Sequence, residues 1–209
     1  SLRAGGWQVS LGRGLAGKTL GIVGLGNMGI PVAQIGQLFG MKVVAWSRNM
    51  TPERASVYQV ESVTKEALFR QSDVITIHMP LSDATLGLVS AADLALMKKD
   101  AFLINTSRPQ IVAEGALLEA LEQRRIGGAG LDVFEVEPLP VDHPYRSLPN
   151  VLATPHIGFV TKENMKEFFH TSLKNLLAFL AGSPINVINA ARPFLPDSQV
   201  SKQMQAKGL

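Results

Sequence analysis

The sequence predicts an α/β protein in which helices cover both faces of a doubly wound parallel sheet. Short segments rich in Val, Ile and Leu alternate with segments of helical periodicity, which is the pattern of βαβ units. The apolar segments are nearly continuous, as is typical of strands that are buried on both faces. A glycine-rich turn joins the first of these segments to the first helix, and such a turn is common where a nucleotide binds.

Six strands and four helices can be placed along the chain from this alternation. In the third helix Ala116, Leu117, Ala120 and Leu121 recur at helical spacing beside charged residues, so we expect them to face the core. The strands are predicted at 19–24, 42–47, 73–79, 101–107, 128–134 and 150–156, and the helices at 27–40, 91–99, 114–125 and 161–181.

Composition excludes several classes of function. The 209 residues contain 20 Lys and Arg against 17 Asp and Glu, a net charge of +3, which gives little electrostatic support for nucleic-acid binding. The absence of Cys fits a reducing compartment and excludes a thiol nucleophile. No apolar run approaches the length of about 18 residues that a membrane-spanning helix needs. We therefore expect a soluble, cytoplasmic protein that binds neither membranes nor nucleic acid and has no metal site.

The glycine-rich turn reads Gly24-Leu25-Gly26-Asn27-Met28-Gly29, a G-x-G-x-x-G motif between a predicted strand and a predicted helix. In that context the first glycine allows a tight turn, the second allows a pyrophosphate to approach the backbone, and the third allows the helix to pack on the strand. Asn27 and Met28 would lie nearest to the pyrophosphate, at the positive end of the helix dipole. The motif predicts a Rossmann fold that binds a dinucleotide.

The end of the second strand bears on which dinucleotide binds. Ser47, Arg48 and Asn49 follow that strand, and Ser47 lies 18 residues after Gly29, close to where an acidic residue would hold the adenosine ribose of NAD. Ser47 cannot repel a 2′-phosphate, and Arg48 could pair with one. NADP(H) is therefore favoured over NAD(H), with a solvated Ser-Arg turn as the alternative.

Charged side chains follow three later strands. Arg108 comes after the strand over 101–107, Asp132 and Glu137 come after the segment GAGL, and His156 comes after NVLATP. Because ligands bind at the carboxyl ends of the strands in open α/β sheets, we expect an arginine, a carboxylate and a histidine at one edge of the sheet.

Five segments, in order, resemble the successive motifs of the D-isomer-specific 2-hydroxyacid dehydrogenases. They are LAGKTLGIVGLGNMG, HMPLSDAT, INTSRPQIV, GAGLDVFEVEPLP and ATPHIG. The resemblance extends from about Trp7 to about Asn189, and it implies an NAD(P)-dependent enzyme that interconverts small 2-keto and 2-hydroxy acids. Pro109 follows Arg108 where many relatives have Gly. This difference leaves the identity of the substrate open but does not affect the expected type of reaction.

The resemblance also implies roles for individual residues. His156 matches the family's acid–base, and Glu137 matches the carboxylate that bonds this histidine and favours its charged form. Arg108 matches the guanidinium that binds the substrate, and Asp132 is similar to the residue that orients the nicotinamide carboxamide. Further residues that it places beside the cofactor are Thr106, Ser107 and Gly158, together with Met79, Pro80 and Thr85 on a loop that touches it.

Members of this family have a substrate-binding domain ahead of the cofactor domain. By that comparison residues 1–16 are a linker helix from a missing substrate domain, 17–160 are the cofactor domain, 161–196 are a long helix with a return segment, and 197–209 are a mobile tail. A natural protein with residues ahead of Ser1 is favoured over a lone cofactor domain. The family commonly forms homodimers through the cofactor domain, and we expect the same here.

A function of another class shares these features. The C-terminal-binding corepressors are nucleotide-binding dimeric scaffolds that resemble this family in fold and in the Arg, Glu and His residues. A peptide-binding cleft would distinguish such a scaffold from a dehydrogenase, but that cleft would lie in the missing domain. The sequence therefore favours the dehydrogenase and leaves the scaffold as the alternative.

Overall fold

The computed structural model describes residues 2–7 and 11–188. Its seven strands form one sheet in which each neighbouring pair is parallel. The strands are β1 (Thr19–Val23), β2 (Lys42–Trp46), β3 (Glu61–Ser62), β4 (Val74–Ile77), β5 (Phe102–Asn105), β6 (Gly128–Leu131) and β7 (Val151–Ala153). Their order across the sheet is β3-β2-β1-β4-β5-β6-β7. The direction of winding therefore reverses between β1 and β4, which is where doubly wound sheets bind ligands, and the predicted Rossmann fold is confirmed.

The helices of the described chain connect these strands. They are α1 (Gly29–Leu38), α2 (Pro52–Ser56), α3 (Lys65–Gln71), α4 (Ala91–Leu96), α5 (Ala116–Glu122) and α6 (Lys162–Leu180). The four predicted helices correspond to α1, α4, α5 and α6, each shorter than its predicted span. The prediction omitted α2, β3 and α3, which lie one after another between β2 and β4. Of these, β3 and α2 contain only two and five residues, which is too short for periodicity to reveal.

The apolar core consists of two clusters that lie on opposite faces of the sheet. Leu20 and Ile22 of β1 belong to one cluster and Val23 to the other, and in β2 Val43 and Val44 are divided in the same way. Successive side chains of a strand point to opposite faces, so both faces of the central strands are covered. The four apolar residues predicted to face the core from α5 are all buried.

The strands end sooner than the sequence predicts because the chain turns where the candidate site residues begin. After β1, Gly24 has φ of +101°, a conformation that is readily open only to glycine. After β7, Pro155 has no N–H to continue the ladder, and His156 has φ of +53°. The short strands therefore deliver the polar residues to loops at the carboxyl edge of the sheet.

The predictions for the two ends of the chain fare differently: the amino-terminal segment differs from its prediction, and part of the carboxyl-terminal segment lies outside the described residues. In residues 2–7 and 11–16 the helical part is a single 3₁₀ turn, Leu2–Ala4, rather than the linker helix predicted over 1–16. The chain divides into two compact units, Ser1–Gly158 and Phe159–Leu209. The predicted tail 197–209, and the return segment after residue 188, lie outside the described residues.

The second compact unit contains α6. The hydroxyl of Thr161 caps this helix by accepting a hydrogen bond from the N–H of Asn164, and the rings of Phe159 and Phe168 stack with their centroids 6.2 Å apart. None of the helices in residues 2–7 and 11–188 combines the length and the apolar character needed to cross a membrane.

Candidate functional site

The three motif glycines differ in the space around them. A Cβ on Gly24 would collide with the carbonyl oxygen of His78, and a Cβ on Gly29 would collide with the carbonyl oxygen of Gly24. Gly26 has no neighbouring atom within 4 Å of the position where its Cβ would be. Gly24 and Gly29 are therefore required for close packing of the turn itself, whereas Gly26 leaves its backbone open to a bound group, as a pyrophosphate would need.

The amino end of α1 has no side-chain cap. Met28 occupies the N-cap position and makes no capping hydrogen bond with its side chain. The first N–H groups of a helix carry a partial positive charge and attract anions. With the open backbone of Gly26 one turn earlier, this end of α1 fits the phosphates of a dinucleotide.

A cavity of about 740 Å³ lies beside this turn, at the point where the winding of the sheet reverses. The cavity brings together eight of the residues that the sequence assigned to the site, and it adds His78 and Leu81, which the sequence analysis did not assign. Its lining consists of Gly26, Asn27, Met28, His78, Met79, Pro80, Leu81, Thr106, Ser107 and Arg108.

His78 lines the cavity as a neutral side chain. Its Nε2 lies 2.9 Å from the Thr76 hydroxyl oxygen, and burial lowers the pKa of His78 below 6.5. At pH 7 the ring is therefore uncharged. The signal that could have identified His78 is its place directly after β4, at the same edge of the sheet as the other site residues.

The loop after β4 forms one wall of the cavity through Met79 and Pro80. Thr85, which the resemblance also assigned to this loop, is buried. Its hydroxyl donates to the Pro80 carbonyl at 2.7 Å and accepts from the Ser82 N–H at 2.8 Å. The side chain of Thr85 thus stabilises the loop from inside.

The turn after β2 lies opposite that loop. The Arg48 guanidinium reaches from the turn to the loop after β4 and donates to the carbonyl oxygen of Ala84 at 2.9 Å. The backbone of Ser47 accepts a hydrogen bond from the N–H of Met50, and the Asn49 carbonyl accepts one from the side chain of Arg54 at 3.0 Å. Residues 47–49, where an adenosine ribose would be held, therefore include the cationic side chain of Arg48 and no acidic side chain.

A buried asparagine at the end of β5 fixes the backbone of Ser107 and Arg108. The Asn105 side chain donates to the Arg108 carbonyl and accepts from the Ser107 N–H, both at 3.0 Å. The Ser107 hydroxyl donates to the Ile77 carbonyl of the neighbouring strand at 2.9 Å. Pro109 then begins a 3₁₀ turn, a position at which no N–H is needed. Asn105 was missed by the sequence analysis because it reads as the end of a strand.

His156 and Glu137 are joined by a side-chain hydrogen bond. The Nδ1 of His156 lies 2.8 Å from Oε2 of Glu137, and Oε1 of Glu137 accepts from the backbone N–H of Phe134 at 2.9 Å. The bond to His156, followed by the bond from Phe134, lowers the pKa of Glu137 below 4.5. The carboxylate is therefore charged at neutral pH, and both of its oxygens are oriented. His156 and Glu137 line a second cavity, of about 550 Å³.

Asp132 accepts hydrogen bonds from residues on either side of His156: from the side chain of Thr154 and from the backbone N–H groups of Ile157 and Gly158. Its Oδ1 accepts from the Thr154 hydroxyl at 2.5 Å and from the Ile157 N–H at 2.9 Å, and its Oδ2 accepts from the Gly158 N–H at 2.8 Å. Burial raises the pKa of Asp132, but the bonds from Thr154 and the two amides outweigh burial and hold the pKa below 3.8. A carboxylate can accept about four hydrogen bonds, so one acceptor position remains, on Oδ2.

The charged residues lie at the carboxyl edge of the sheet, where Arg108 lines the first cavity and Glu137 and His156 line the second. Arg108 follows β5, Asp132 follows β6 and His156 follows β7, and these strands are neighbours. The sequence analysis assigned no role to Thr154, whose hydroxyl reaches Asp132. Among the residues that the structure describes, no group of three or more His, Asp or Glu side chains could hold a metal ion.

Comparison with known proteins agrees with this geometry. Residues 1–158 match the family described as D-isomer specific 2-hydroxyacid dehydrogenase, NAD binding domain. A glyoxylate reductase of Aeropyrum pernix is 43% identical over 187 residues, which cover 88% of this chain and 56% of that protein. A D-3-phosphoglycerate dehydrogenase of Bacillus subtilis is 45% identical over 175 residues, which cover 84% of this chain and 33% of that protein.

Similarity extends to solved structures. The crystal structure of a putative D-3-phosphoglycerate dehydrogenase from Ralstonia solanacearum superposes with a TM-score of 0.82 at 41% sequence identity, covering 86% of this chain and 53% of that one. The chain thus spans little more than half the length of that structure and of the Aeropyrum pernix reductase. The chain belongs to the D-isomer-specific 2-hydroxyacid dehydrogenase family and carries the family's NAD(P)-binding domain.

Proposed function

We propose that the protein is an NAD(P)-dependent oxidoreductase that interconverts small 2-keto acids and D-2-hydroxy acids. The observation that carries this proposal is the hydrogen bond between His156 and Glu137, whose Nδ1 and Oε2 atoms lie 2.8 Å apart, at the sheet edge that also bears Arg108. A histidine oriented by a carboxylate is a suitable proton donor and acceptor near neutral pH. The relatives named as glyoxylate reductase and D-3-phosphoglycerate dehydrogenase are consistent with small acids of this kind.

Reduction of a 2-keto acid needs one hydride and one proton. A bound NAD(P)H supplies the hydride to the carbonyl carbon. His156 donates the proton to the carbonyl oxygen, and Glu137 stabilises the imidazolium that exists before this transfer. Arg108 pairs with the carboxylate of the substrate through its planar guanidinium. In the reverse direction the neutral His156 accepts the hydroxyl proton.

Three groups of residues would hold the cofactor. The backbone at Gly26 and the amino end of α1 bind the pyrophosphate, and residues 47–49 meet the adenosine ribose. The remaining acceptor position on Oδ2 of Asp132 would accept a hydrogen bond from the nicotinamide carboxamide and so orient the ring. A preference for NADP(H) is supported by Arg48 and by the lack of a carboxylate at residues 47–49, since a 2′-phosphate would meet a cation there.

A homodimer is part of this proposal. Large apolar side chains in the amino-terminal segment are exposed, among them Trp7 at 78% and Leu11 at 98%. Exposed apolar residues clustered in one short segment favour a protein–protein contact. Light scattering of the intact protein at micromolar concentration should report twice the mass of one chain, and a strict monomer would contradict the dimer.

A panel of small 2-keto acids tests the proposed reaction. Glyoxylate, hydroxypyruvate, phosphohydroxypyruvate and a bulkier keto acid are each incubated with the intact protein and NADH or NADPH, and oxidation of the cofactor is followed by its absorbance. We expect turnover with at least one acid, and faster turnover with NADPH. Tight binding of the cofactor without turnover of any acid would instead support the nucleotide-binding scaffold.

A further inference from the structure

We propose that Thr154 is a positioning residue for His156, acting through Asp132 on the backbone that carries the imidazole. The inference rests on the proposed function for its catalytic consequence. Its structural basis is a chain of hydrogen bonds that runs from the Thr154 hydroxyl to the Asp132 carboxylate and from there to the N–H groups of Ile157 and Gly158. The chain starts two residues before His156 and ends two residues after it.

His156 needs such support because its backbone conformation is unfavourable. Its φ is +53°, in the left-handed region, which is uncommon for any residue but glycine, although His adopts it more often than most residues do. Hydrogen bonds hold the backbone on both sides of the ring: the His156 N–H donates to the Thr154 carbonyl at 3.0 Å, and the N–H groups of Ile157 and Gly158 donate to the buried Asp132 carboxylate.

The Thr154 side chain makes a specific contribution that its backbone does not. The N–H of Thr154 donates to the Leu131 carbonyl at 2.9 Å, which any residue other than proline could do. The hydroxyl has a single proton and two acceptors within reach, the Asp132 Oδ1 at 2.5 Å and the Leu131 carbonyl at 3.4 Å. The hydroxyl donates its hydrogen bond to the carboxylate, because a charge-assisted bond at the shorter distance is much the stronger of the two.

The hydrogen bond from Thr154 determines which oxygen of the Asp132 carboxylate keeps a free acceptor position. The Thr154 hydroxyl and the Ile157 N–H together occupy both acceptor positions of Oδ1. Oδ2 accepts from the Gly158 N–H, so the one remaining position is on Oδ2. Thr154 thereby fixes the rotation of the carboxylate and, with it, the oxygen that is available to a donor from a bound cofactor. Gly158 allows this close approach, since a Cβ there would lie 3.0 Å from Oδ2.

Two variants of the intact protein separate the hydroxyl from the bulk of the side chain. Thr154→Val keeps the branched shape and removes the hydroxyl, whereas Thr154→Ser keeps the hydroxyl and removes a methyl group. We expect Thr154→Val to lower kcat for a 2-keto acid by roughly 10- to 100-fold, because small displacements of a catalytic group are costly. KM for the keto acid should change much less, and Thr154→Ser should restore most of the loss in kcat.

A second measurement does not depend on turnover. In ¹H–¹⁵N spectra the amides of Ile157 and Gly158 should show slow hydrogen exchange in the wild type and in Thr154→Ser, and faster exchange with shifted resonances in Thr154→Val. Unprotected amides in the wild type would overturn the proposal even if Thr154→Val failed to fold. Equal losses of kcat in both variants would also overturn it, because they would indicate a packing role.

The two measurements distinguish this inference from the proposed function. If the amides respond as expected but no keto acid is reduced, the positioning of His156 stands and the proposed reaction fails. If the wild type reduces keto acids but Thr154→Val keeps wild-type kcat and exchange, the proposed reaction stands and the role of Thr154 is wrong.

Discussion

The Nδ1 atom of His156 lies 2.8 Å from Oε2 of Glu137, although the two residues are 19 positions apart on loops that follow different strands. The contact is possible because β6 and β7 are neighbours in register, with Leu131 opposite Ala153. Glu137 is held in turn by the Phe134 N–H. The sheet thus brings together an acid–base side chain and the carboxylate that orients it.

Replacing His156 by Asn should remove the acid–base group without disturbing the loop. Asn tolerates the left-handed backbone at this position better than Ala does. We expect kcat for keto-acid reduction to fall roughly 10²- to 10⁴-fold, with the melting temperature and the Kd of NAD(P)H nearly unchanged. His170→Asn, at an exposed position on α6, is the matched control and should keep wild-type turnover. Wild-type turnover in His156→Asn would rule out the catalytic role.

Glu137→Gln should weaken the pair by removing its charge while keeping its shape. The folded-state pKa of Glu137 is lowered by the bond to His156 and then by the bond from Phe134. Glu137 therefore remains the carboxylate that orients His156 at any pH above 4.5, and it is neutralised only as the pH falls through its lowered pKa. We therefore expect turnover to drop about 10-fold across pH 5.5–8, with the difference between wild type and variant shrinking only below pH 4.5. A difference that disappears between pH 6 and 8 would contradict this assignment.

Gly26→Ala and Gly29→Ala should separate cofactor binding from folding. The Cβ of an alanine at position 29 would collide with the Gly24 carbonyl, whereas position 26 has open space. We expect Gly29→Ala to destabilise the fold by about 1–3 kcal/mol or more, as measured by urea unfolding. Gly26→Ala should keep the wild-type stability and weaken NAD(P)H binding at least about 10-fold, because its methyl group occupies the space for the pyrophosphate.

Ser47→Asp tests the proposed 2′-phosphate contact. A carboxylate at this position should repel the phosphate and accept hydrogen bonds from the ribose, which shifts the ratio of Kd values toward NADH. Arg48→Ala should weaken NADPH binding by roughly 10-fold, since it removes a cation that could pair with the phosphate. Arg70→Ala, on α3 and paired with Glu66, serves as the control. An unchanged ratio in both test variants would show that residues 47 and 48 form only a turn.

Asp93→Asn tests the support beneath the loop after β4. Asp93 accepts from Lys65 Nζ at 2.6 Å and from the Ser90 N–H at 2.8 Å, and Lys65 also donates to the Leu88 carbonyl. Burial raises the pKa of Asp93, but the bonds from Lys65 and Ser90 outweigh burial and hold the pKa below 3.8. The variant should lose about 1–2 kcal/mol of unfolding free energy at pH 7.

Because the pKa of Asp93 is lowered on folding, the difference in unfolding free energy between the wild type and Asp93→Asn depends on pH. The stabilisation by Asp93 is fully present above its unfolded pKa and is lost as the pH falls through its lowered folded pKa. Urea unfolding should therefore show the variant and the wild type converging below pH 3.8. Asp100→Asn breaks an exposed pair with Arg13 and should cost less than about 1 kcal/mol at pH 7. Equal losses in the two variants would contradict a specific role for Asp93.

Several features of the fold and the site could be read from the sequence for identifiable reasons. The glycine turn was predictable because Gly24 must adopt a positive φ and Gly29 must approach a carbonyl group. The edge that carries Arg108 and His156 was predictable because parallel strands all end at one side of a sheet. By contrast, β3 contains only two residues and leaves no periodic pattern.

Other features of the site depend on contacts between residues far apart in the chain. Asn105 and Thr154 read as ordinary strand-end residues, and only the fold shows that Asn105 fixes the Arg108 backbone and that Thr154 reaches Asp132. Thr85 lies on the expected loop, but the direction of its hydroxyl toward Pro80 depends on how that loop closes.

By itself the sequence determined the fold class, the position of the nucleotide turn and the identity of the charged residues at the carboxyl edge of the sheet. These follow from local conformational limits and from periodicity, which are properties of short segments. Only the tertiary structure decided the left-handed conformation of His156, the orientation of Glu137 and the distribution of hydrogen bonds between the two oxygens of Asp132. These depend on side-chain directions and on distances of about 3 Å between separate loops, which are fixed only when the strands have been placed side by side.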